Sequence, residues 1–466
     1  MEYELDNVKG FLRELGYEVI SLDYYKNIYK WIDWYKGELD SFHKYKMYNG
    51  FQFVDKKRAS LKMPKRVAEE WSSLLYNDKV CIMIDEKNQS ILDGIFKSNK
   101  FDCKFSELLE RTFALGTGAL VEYNDGKGNA KIDYIIAPMI FPLRQENGEI
   151  IDCAFGSVKG NDIYLNIHTE DNGIYTIQNK IYKKIKGKYE EQPVNEMEDI
   201  CTSTVKMFQI IKPNIANNID LFTPFGISVF ENALEQNKAI DMTYDSLKNE
   251  FDLGKKRLFV KTETLTYKTV VGIDKDGNTT TTEVPIFDEE QTEFFALPGE
   301  DNNDKPITEI NPQLRITEHI DGLQTELNLF SDSCGLGPDR FVFKDGTVYT
   351  NSTQVISTQS KLYKNIVNHE KVLRYALIDM VKALMFITKS TEYKEDITIN
   401  FDDSIIEDSK ETRTQAILEL NNHLIDDIQY YIDVYKMTEE QAIEFRDKIK
   451  KRTPEEPIEE EPPEGV

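Results

Sequence analysis

The chain is 466 residues long, more than one ordinary core accommodates, so several structural units are expected. Hydrophobic residues make up 40% and aromatics 11%, which excludes wholesale disorder. The formal net charge of −25 excludes a tight sequence-nonspecific DNA binder, whose surface carries the opposite sign, but not a surface that a polyanion slides past.

In chain order, MEYELDNVKGFLREL at the N-terminus is acidic and amphipathic and lacks the basic n-region and apolar core of a signal peptide. Residues from about 10 to 115 read as mostly helical. They include the aromatic-rich YYKNIYKWIDWYKGELDSFHKY and the helix RVAEEWSSLLYN, which follows Pro64 and spaces Val67, Trp71, Leu74 and Leu75 on one face. The basic stretch DKKRASLKMPKR, Lys56 to Arg66, reads as a solvated face before it reads as a phosphate contact. From Phe113 the pattern turns to short alternating runs broken by DG, NG and KG, so residues from about 118 to 212 are expected to form an antiparallel β unit of hairpins.

A long helix follows in TPFGISVFENALEQNKAIDMTYDSLKNEFDLGKKR. Ser228 and Glu231 stand in capping-box spacing, Phe230, Leu234, Tyr244, Leu247 and Phe251 lie near one stripe, and Gly254 is the expected stop. A strand-rich stretch comes next, with a hairpin expected at DKDGN, and then a second helix with Ile316, Ile320, Leu323, Leu327 and Phe330 at helical spacing. After the loop CGLGPDRFVFKDGTVYTNSTQVIS a third helix is expected from Asn351 or Ser352 to about Ile387. Its apolar segment, Val372 to Ile387, contains Arg374, Asp379 and Lys382, too many charges for a membrane span. A short strand, DITINFDDS, precedes a final helical pair divided by the capping-box spacing of Thr438 and Gln441. The closing PEEPIEEEPPEGV, with six Glu and four Pro, is expected to be disordered.

No stretch meets the requirements of a catalytic or ligand site. GLGPDR lacks the Gly-Lys-Ser/Thr of a Walker loop and has Arg340 where a dinucleotide fingerprint needs its third glycine. LGTGALVEY leaves a helix for a strand, the wrong order for either. The five histidines, His43, His168, His319, His369 and His423, are isolated, and IDKDGN has Pro285 where a calcium loop needs Glu. Cys81, Cys103, Cys153, Cys201 and Cys334 contain no C-x-x-C pair and read as reduced thiols of an intracellular protein, not as a disulfide framework or zinc site.

The order of elements, together with LGTGALVEY, PFGISVFENALEQNKAIDMTYDSLKNEF and above all LNLFSDSCGLGPDRFVFKDGTVYTNSTQVISTQSKLYKNI, resembles the portal proteins of tailed bacteriophages, nearest to the branch infecting Gram-positive hosts. The resemblance covers nearly the whole chain and is most specific over residues 223–390. It implies an α+β portal fold with long helices and antiparallel β units. Residues 1–227 correspond to a wing, 228–256 and 312–334 to two stem helices, 257–311 to a clip and 335–352 to a tunnel loop. Residues 353–409 correspond to a long wing helix and strand, 410–450 to crown helices and 451–466 to a disordered acidic tail.

The resemblance further implies a non-enzymatic homo-oligomeric ring, a dodecamer, at one capsid vertex of the virion, assembled in the host bacterial cytoplasm. The ring is a conduit for packaging and ejecting double-stranded DNA. Its implied partners are the large terminase, a head-tail adaptor, the scaffold and the major capsid protein, with no cofactor, catalytic residue, metal or membrane. The expected channel residues are Arg340, Lys344, Asp345, Gly346, Thr347, Thr350 and Asn351, with hinges at Gly254, Gly335 and Gly337. In that loop Arg340 and Lys344 are the phosphate contacts, and Asp339 and Asp345 keep them weak. Two alternatives remain at this level: another head or baseplate protein of a phage or prophage particle, or a nucleotide-binding enzyme using the 335–346 loop.

Overall fold

The three tryptophans of the chain, Trp31, Trp34 and Trp71, are all buried in the core that the N-terminal helices build. A computed structural model describes residues 2–48, 52–160, 162–185, 188–193, 200–261, 265–273, 279–286, 294–297, 306–343, 352–401, 417–420, 422, 424–435, 442–443 and 445–446. The chain divides into two compact units, Met1–Leu75 with Ile82–Ile399, and Tyr76–Cys81 with Asn400–Val466. The fold is α+β. Among the described residues no helix is long and apolar enough to cross a membrane.

The first stretch of the chain holds α1 (Glu2–Glu14), α2 (Tyr25–Lys36), α3 (Asp40–His43), β1 (Lys44–Tyr48), β2 (Phe53–Lys57), α4 (Met63–Leu75), β3 (Cys81–Met83), α5 (Glu86–Asn99) and α6 (Phe101–Leu115), all in the larger unit except Cys81. The region is mostly helical, as expected, but Gly37 ends α2 in the left-handed region and strands follow the short α3. There β1 and β2 form an antiparallel hairpin. Its base is gripped from far along the chain: Asp245 accepts the amide of Ala59 and Asp241 that of Leu61, both at 2.9 Å. Asp241 also meets His43 Nε2 at 3.1 Å in a buried pair, and burial raises the Asp241 carboxyl above its ordinary range.

The β unit holds β4 (Gly118–Asn124), β5 (Ala130–Ile136), β6 (Ile140–Glu146), β7 (Glu149–Lys159), β8 (Asp162–Asp171), β9 (Ile174–Ile185), β10 (Lys188–Gln192), β11 (Ile200–Ser203) and β12 (Phe208–Ile211). One sheet runs β10-β9-β8-β7-β6, with β11 also on β9, and a second runs β12-β4-β5. All pairings are antiparallel. The expected NG turns join β6 to β7 and β8 to β9, with Asn147, Gly148, Asn172 and Gly173 all at positive φ, the geometry of a tight primed hairpin turn. Phe11 of α1 stacks on Tyr182 of β9 at 4.0 Å, so that helix covers the larger sheet.

Two motifs far apart in sequence meet at the smaller sheet. Gly116, in the left-handed region after α6, lies back to back with Gly226, and a Cβ on Gly226 would stand 2.2 Å from the Gly116 carbonyl oxygen. The Gly226 amide donates to Thr117 Oγ1 at 3.0 Å, and Tyr24 Oη donates to the Gly226 carbonyl at 2.9 Å. Beyond this contact lies α7 (Leu234–Leu253). It starts later than the capping-box spacing implies. A 3-10 turn occupies Glu231–Ala233, and the Glu231 carboxylate accepts from Lys30 Nζ and Trp31 Nε1 instead of closing a box with Ser228. A buried indole donor outbids the local cap.

Between α7 and α8 (Ile316–Ser333) come β13 (Arg257–Lys261), β14 (Thr266–Ile273), β15 (Thr279–Ile286), β16 (Phe294–Leu297) and β17 (Ile307–Ile310). They form a sheet β16-β13-β17 and a hairpin β14-β15. The expected DKDGN turn lies between β14 and β15, outside the described residues. α7 and α8 pack on one another. α9 (Ser352–Lys389) is 38 residues long, about 57 Å, and packs on β12, β4 and β5. β18 (Thr398–Asn400) follows.

In the smaller unit, the helix expected through residues 412–436 is broken. Residues 417–420 are helical, and α10 (Asp427–Tyr435) begins afresh because the Asp426 carboxylate accepts the Gln429 amide at 2.7 Å as an N-cap. The Thr438–Gln441 spacing and the acidic tail lie outside the described residues.

Because α6 and α9 both pack on β4, residues Gly118–Glu122 are buried on either face of the strand. Glu122 is buried with them, and burial pushes its carboxyl up to about 8 against the opposing influence of Gln209 and Lys206. The unfolded carboxyl releases its proton near its ordinary value and the folded one only near 8, so stability falls as pH rises between them. Glu122→Gln removes that penalty. Its melting temperature should exceed that of the wild type by several degrees, about the shift of a 1–3 kcal/mol gain, at pH 8 and by much less at pH 5, read by calorimetry.

Candidate functional site

The segment after α8 carries GLGPDR, tested above as a phosphate loop, and its backbone shows what the glycines do. The amide of Gly335 donates to Asp332 O and that of Leu336 to Ser331 O, both at 3.1 Å, with Gly335 at φ +82. This is a Schellman stop: Gly335 takes the left-handed position and buried Leu336 seals it. The amides of Gly335 and Leu336 are thereby consumed by carbonyls of α8.

The stop is wedged among three helices. Trp71 Nε1 of α4 donates to the Cys334 carbonyl at 3.1 Å, and Asn365 Nδ2 of α9 donates to the Gly335 carbonyl at 2.8 Å. A Cβ on Gly335 would lie 3.2 Å from that Asn365 nitrogen, so the residue is held by both φ and space. The Trp71 ring meets the edge of His369 at 4.7 Å, and His369 also faces Phe113 of α6 at 5.0 Å. Burial pulls the His369 imidazole down to about 4, keeping it neutral so that Nδ1 accepts the Asn214 amide at 3.0 Å. Burial likewise drives the Cys334 thiol well above its ordinary value, leaving it unreactive.

α8 then lays a polar ladder along the outgoing chain. Ser331 Oγ donates to Gly337 O at 2.6 Å, and Asn328 Nδ2 donates to Asp339 Oδ1 at 2.7 Å. Gln324 donates to Phe341 O at 3.0 Å and accepts the Phe343 amide at 2.7 Å. Gly337 and Asp339 both have positive φ. Arg340, expected to touch phosphate, directs Nε at 2.9 Å and Nη2 onto the Glu70 carboxylate of α4. Lys344, Asp345, Gly346, Thr347, Thr350 and Asn351 lie outside the described residues.

At the opposite end of α8, Glu250 near the end of α7 accepts the Arg315 amide at 3.1 Å, Arg315 Nε at 3.1 Å and Nη2 at 2.9 Å. The guanidinium beside Glu250 holds that carboxyl down at about 2. Gly254 has φ −80 and so is not a left-handed stop; a Cβ there would meet Leu314 Cδ2 at 2.2 Å, and glycine serves close packing between the two helices. The basic stretch Lys56 to Arg66 is partly engaged within the protein. Arg58 donates to Phe42 O at 2.7 Å, and Lys65 pairs with Glu110 at 2.6 Å. Among the described residues no three His, Cys, Asp or Glu side chains converge as a metal site.

Sequence reading missed Glu70, Trp71, Asn365 and His369 as loop anchors, because each appears as one residue of a helix face. Gln324, Asn328 and Ser331 did leave a signal: polar residues four and three apart, one step round from the apolar stripe.

Two helices clamped at the base of a strand-rich insertion, a capped loop leaving the second, and a third helix of 38 residues behind it make up the architecture of a phage portal protein. Residues 18–455 match the family described as "Phage portal protein, SPP1 Gp6-like", and the chain belongs to that family. Its role is that of a portal, a structural head-to-tail connector of the phage particle. No curated protein sequence matches it. Among solved structures it is similar to a chain from the "Neck of native GTA particle computed with C12 symmetry", at 10% identity and a TM-score of 0.38, over 79% of this chain and 89% of that one.

Replacing Trp71 by Phe leaves the Cys334 carbonyl without its buried donor. The variant should lose about 1–3 kcal/mol of stability in denaturant unfolding, and residues after 334 should become more susceptible to limited proteolysis.

Proposed function

We propose that the chain assembles into a closed ring, a dodecamer, at one vertex of the capsid, and that double-stranded DNA passes through it during packaging and ejection. The observation that carries this reading is the loop after α8: its base is locked into three helices, while its outgoing residues include Lys344, Asp345, Gly346, Thr347, Thr350 and Asn351, which are small, polar or oppositely charged, around Val348 and Tyr349. A lining that lets DNA slide has to avoid reading bases and avoid strong phosphate attachment. Pairing of Arg340 with Glu70 and the net charge of −25 support that property.

In the same reading α7 and α8 form the stem, β13–β17 the clip and residues 335–352 the tunnel loop. Residues 1–227 with 353–409 form the wing, and 410–450 the crown. Gly335 and Gly337 then act as the fixed root of the loop. The large terminase, a head-tail adaptor, the scaffold and the major capsid protein are its partners, with no chemistry of its own, and the ring is built in the host cytoplasm and stays in the virion.

Negative-stain microscopy of the purified protein should reveal rings; monomers alone at every concentration, after long incubation, contradict the reading. Replacing residues 344–350 by a Gly-Ser linker of equal length should leave rings intact and reduce the DNA retained per head. Normal yields of filled heads from that replacement would refute the role of the loop.

A further inference from the structure

Two exposed apolar patches of the larger unit are held too firmly to be loose surface. In the first, Leu221 and Phe222 are 79% and 84% exposed. Their loop is nonetheless built by hydrogen bonds. Asn217 Oδ1 accepts the amides of Ile219 and Asp220 at 3.0 and 3.2 Å, and its Nδ2 donates to Tyr24 Oη at 2.7 Å and Phe225 O at 3.1 Å. Asp220 Oδ1 accepts the Phe222 amide at 2.9 Å, Gln145 donates to the Phe222 carbonyl at 2.9 Å, and Asn218 donates to Asn232 at 2.8 Å. A Leu-Phe pair displayed on a preorganised loop is the form of a binding anchor, because little conformational freedom is left to lose on docking.

The second patch is the β1-β2 hairpin. Its register puts Lys44 opposite Lys57, Lys46 opposite Asp55 and Tyr48 opposite Phe53 on one face, and every one of these residues is exposed, Phe53 by 70%. Tyr45 and Val54 on the other face are half-buried, and the base of the hairpin is fixed by Asp241 and Asp245. Lys44 and Lys57 reach Asp40 and Glu38, yet the hairpin and the residue after it carry five cations against the single acid Asp55.

We propose that the Leu221–Phe222 loop of one copy of this chain seats on the exposed face formed by Lys46, Tyr48, Phe53 and Asp55 of the hairpin of the next copy. The inference rests on the ring reading. Chains of net charge −25 repel one another, so a contact between copies has to bring surface of lower negative charge together. The seat itself carries Lys44, Lys46 and Lys57 beside Asp55, with Lys56 and Arg58 on the other side of the same thin hairpin, so the region as a whole is basic, and residues 214–222, NIANNIDLF, hold one acid and no cation to oppose it. The two patches are unlike, as a head-to-tail interface that closes a ring requires.

The full-length chain, the variant Leu221→Ser/Phe222→Ser and the variant Lys46→Glu/Phe53→Ser are to be compared by mass photometry across a concentration series, with circular dichroism melts as the folding control. Both variants should melt like the wild type and need at least about tenfold more protein to assemble. Phe53→Cys combined with Phe222→Cys, in a background with the exposed Cys81 and Cys103 replaced by Ser, should give a ladder of covalent multimers on oxidation, whereas either cysteine alone should not. Wild-type rings with variants that assemble equally well and give no ladder overturn this interface and leave the ring standing. A wild type that stays monomeric overturns both. Variants that form normal rings but fail to incorporate into capsids assign the patches to a shell protein, and so also overturn the proposal.

Discussion

Everything beyond α8 depends on where that helix stops. Trp71, rooted in the α4 face, donates its indole hydrogen to the Cys334 carbonyl at 3.1 Å, and Asn365 of α9 takes the next carbonyl at 2.8 Å. The last turn of α8 is therefore tied to helices that precede and follow it in the chain, and the left-handed Gly335 turns the backbone away at that point and no other. A buried carbonyl needs its partner, so the stop position is set by the cost of leaving it unpaired.

That constraint separates two kinds of structure. Upstream and behind it lie packed helices and the sheets on which α9 rests, including a strand buried deeply enough to hold Glu122 protonated near neutrality. Ahead of it the chain pays out along a polar ladder from Gln324 to Ser331, in which side chains of α8 hold backbone groups one by one. Arg340 rests on Glu70, which neutralises a cation that would otherwise project from the root of the loop.

The junction of α7 with α8 obeys a similar rule. Arg315 and Glu250 form a forked ion pair, and Gly254 lets Leu314 approach, so the helices are fastened together where the strands β13–β17 leave them. The contact of Gly116 with Gly226 does the equivalent at the other end of α7, where neither position has room for a side chain. Both junctions use glycine for proximity, and only the second also for a positive φ.

Periodicity and turn chemistry made the α+β class legible in the sequence: the apolar stripe of α8, the extent of α9 and the NG turns of the β unit all follow from local rules. Motif order made the portal family legible, and the failure of GLGPDR as a phosphate loop was visible in its residues. What the sequence left open was decided by partners distant along the chain. Glu231 left its local cap for Trp31 and Lys30, the hairpin that starts at Lys44 has its base held by Asp241 and Asp245, and Glu122 became buried because helices cover both faces of β4. Local patterns record which backbone shape is cheap and which face is apolar. They carry no record of which buried donor meets which acceptor, since that pairing is settled only when the elements pack.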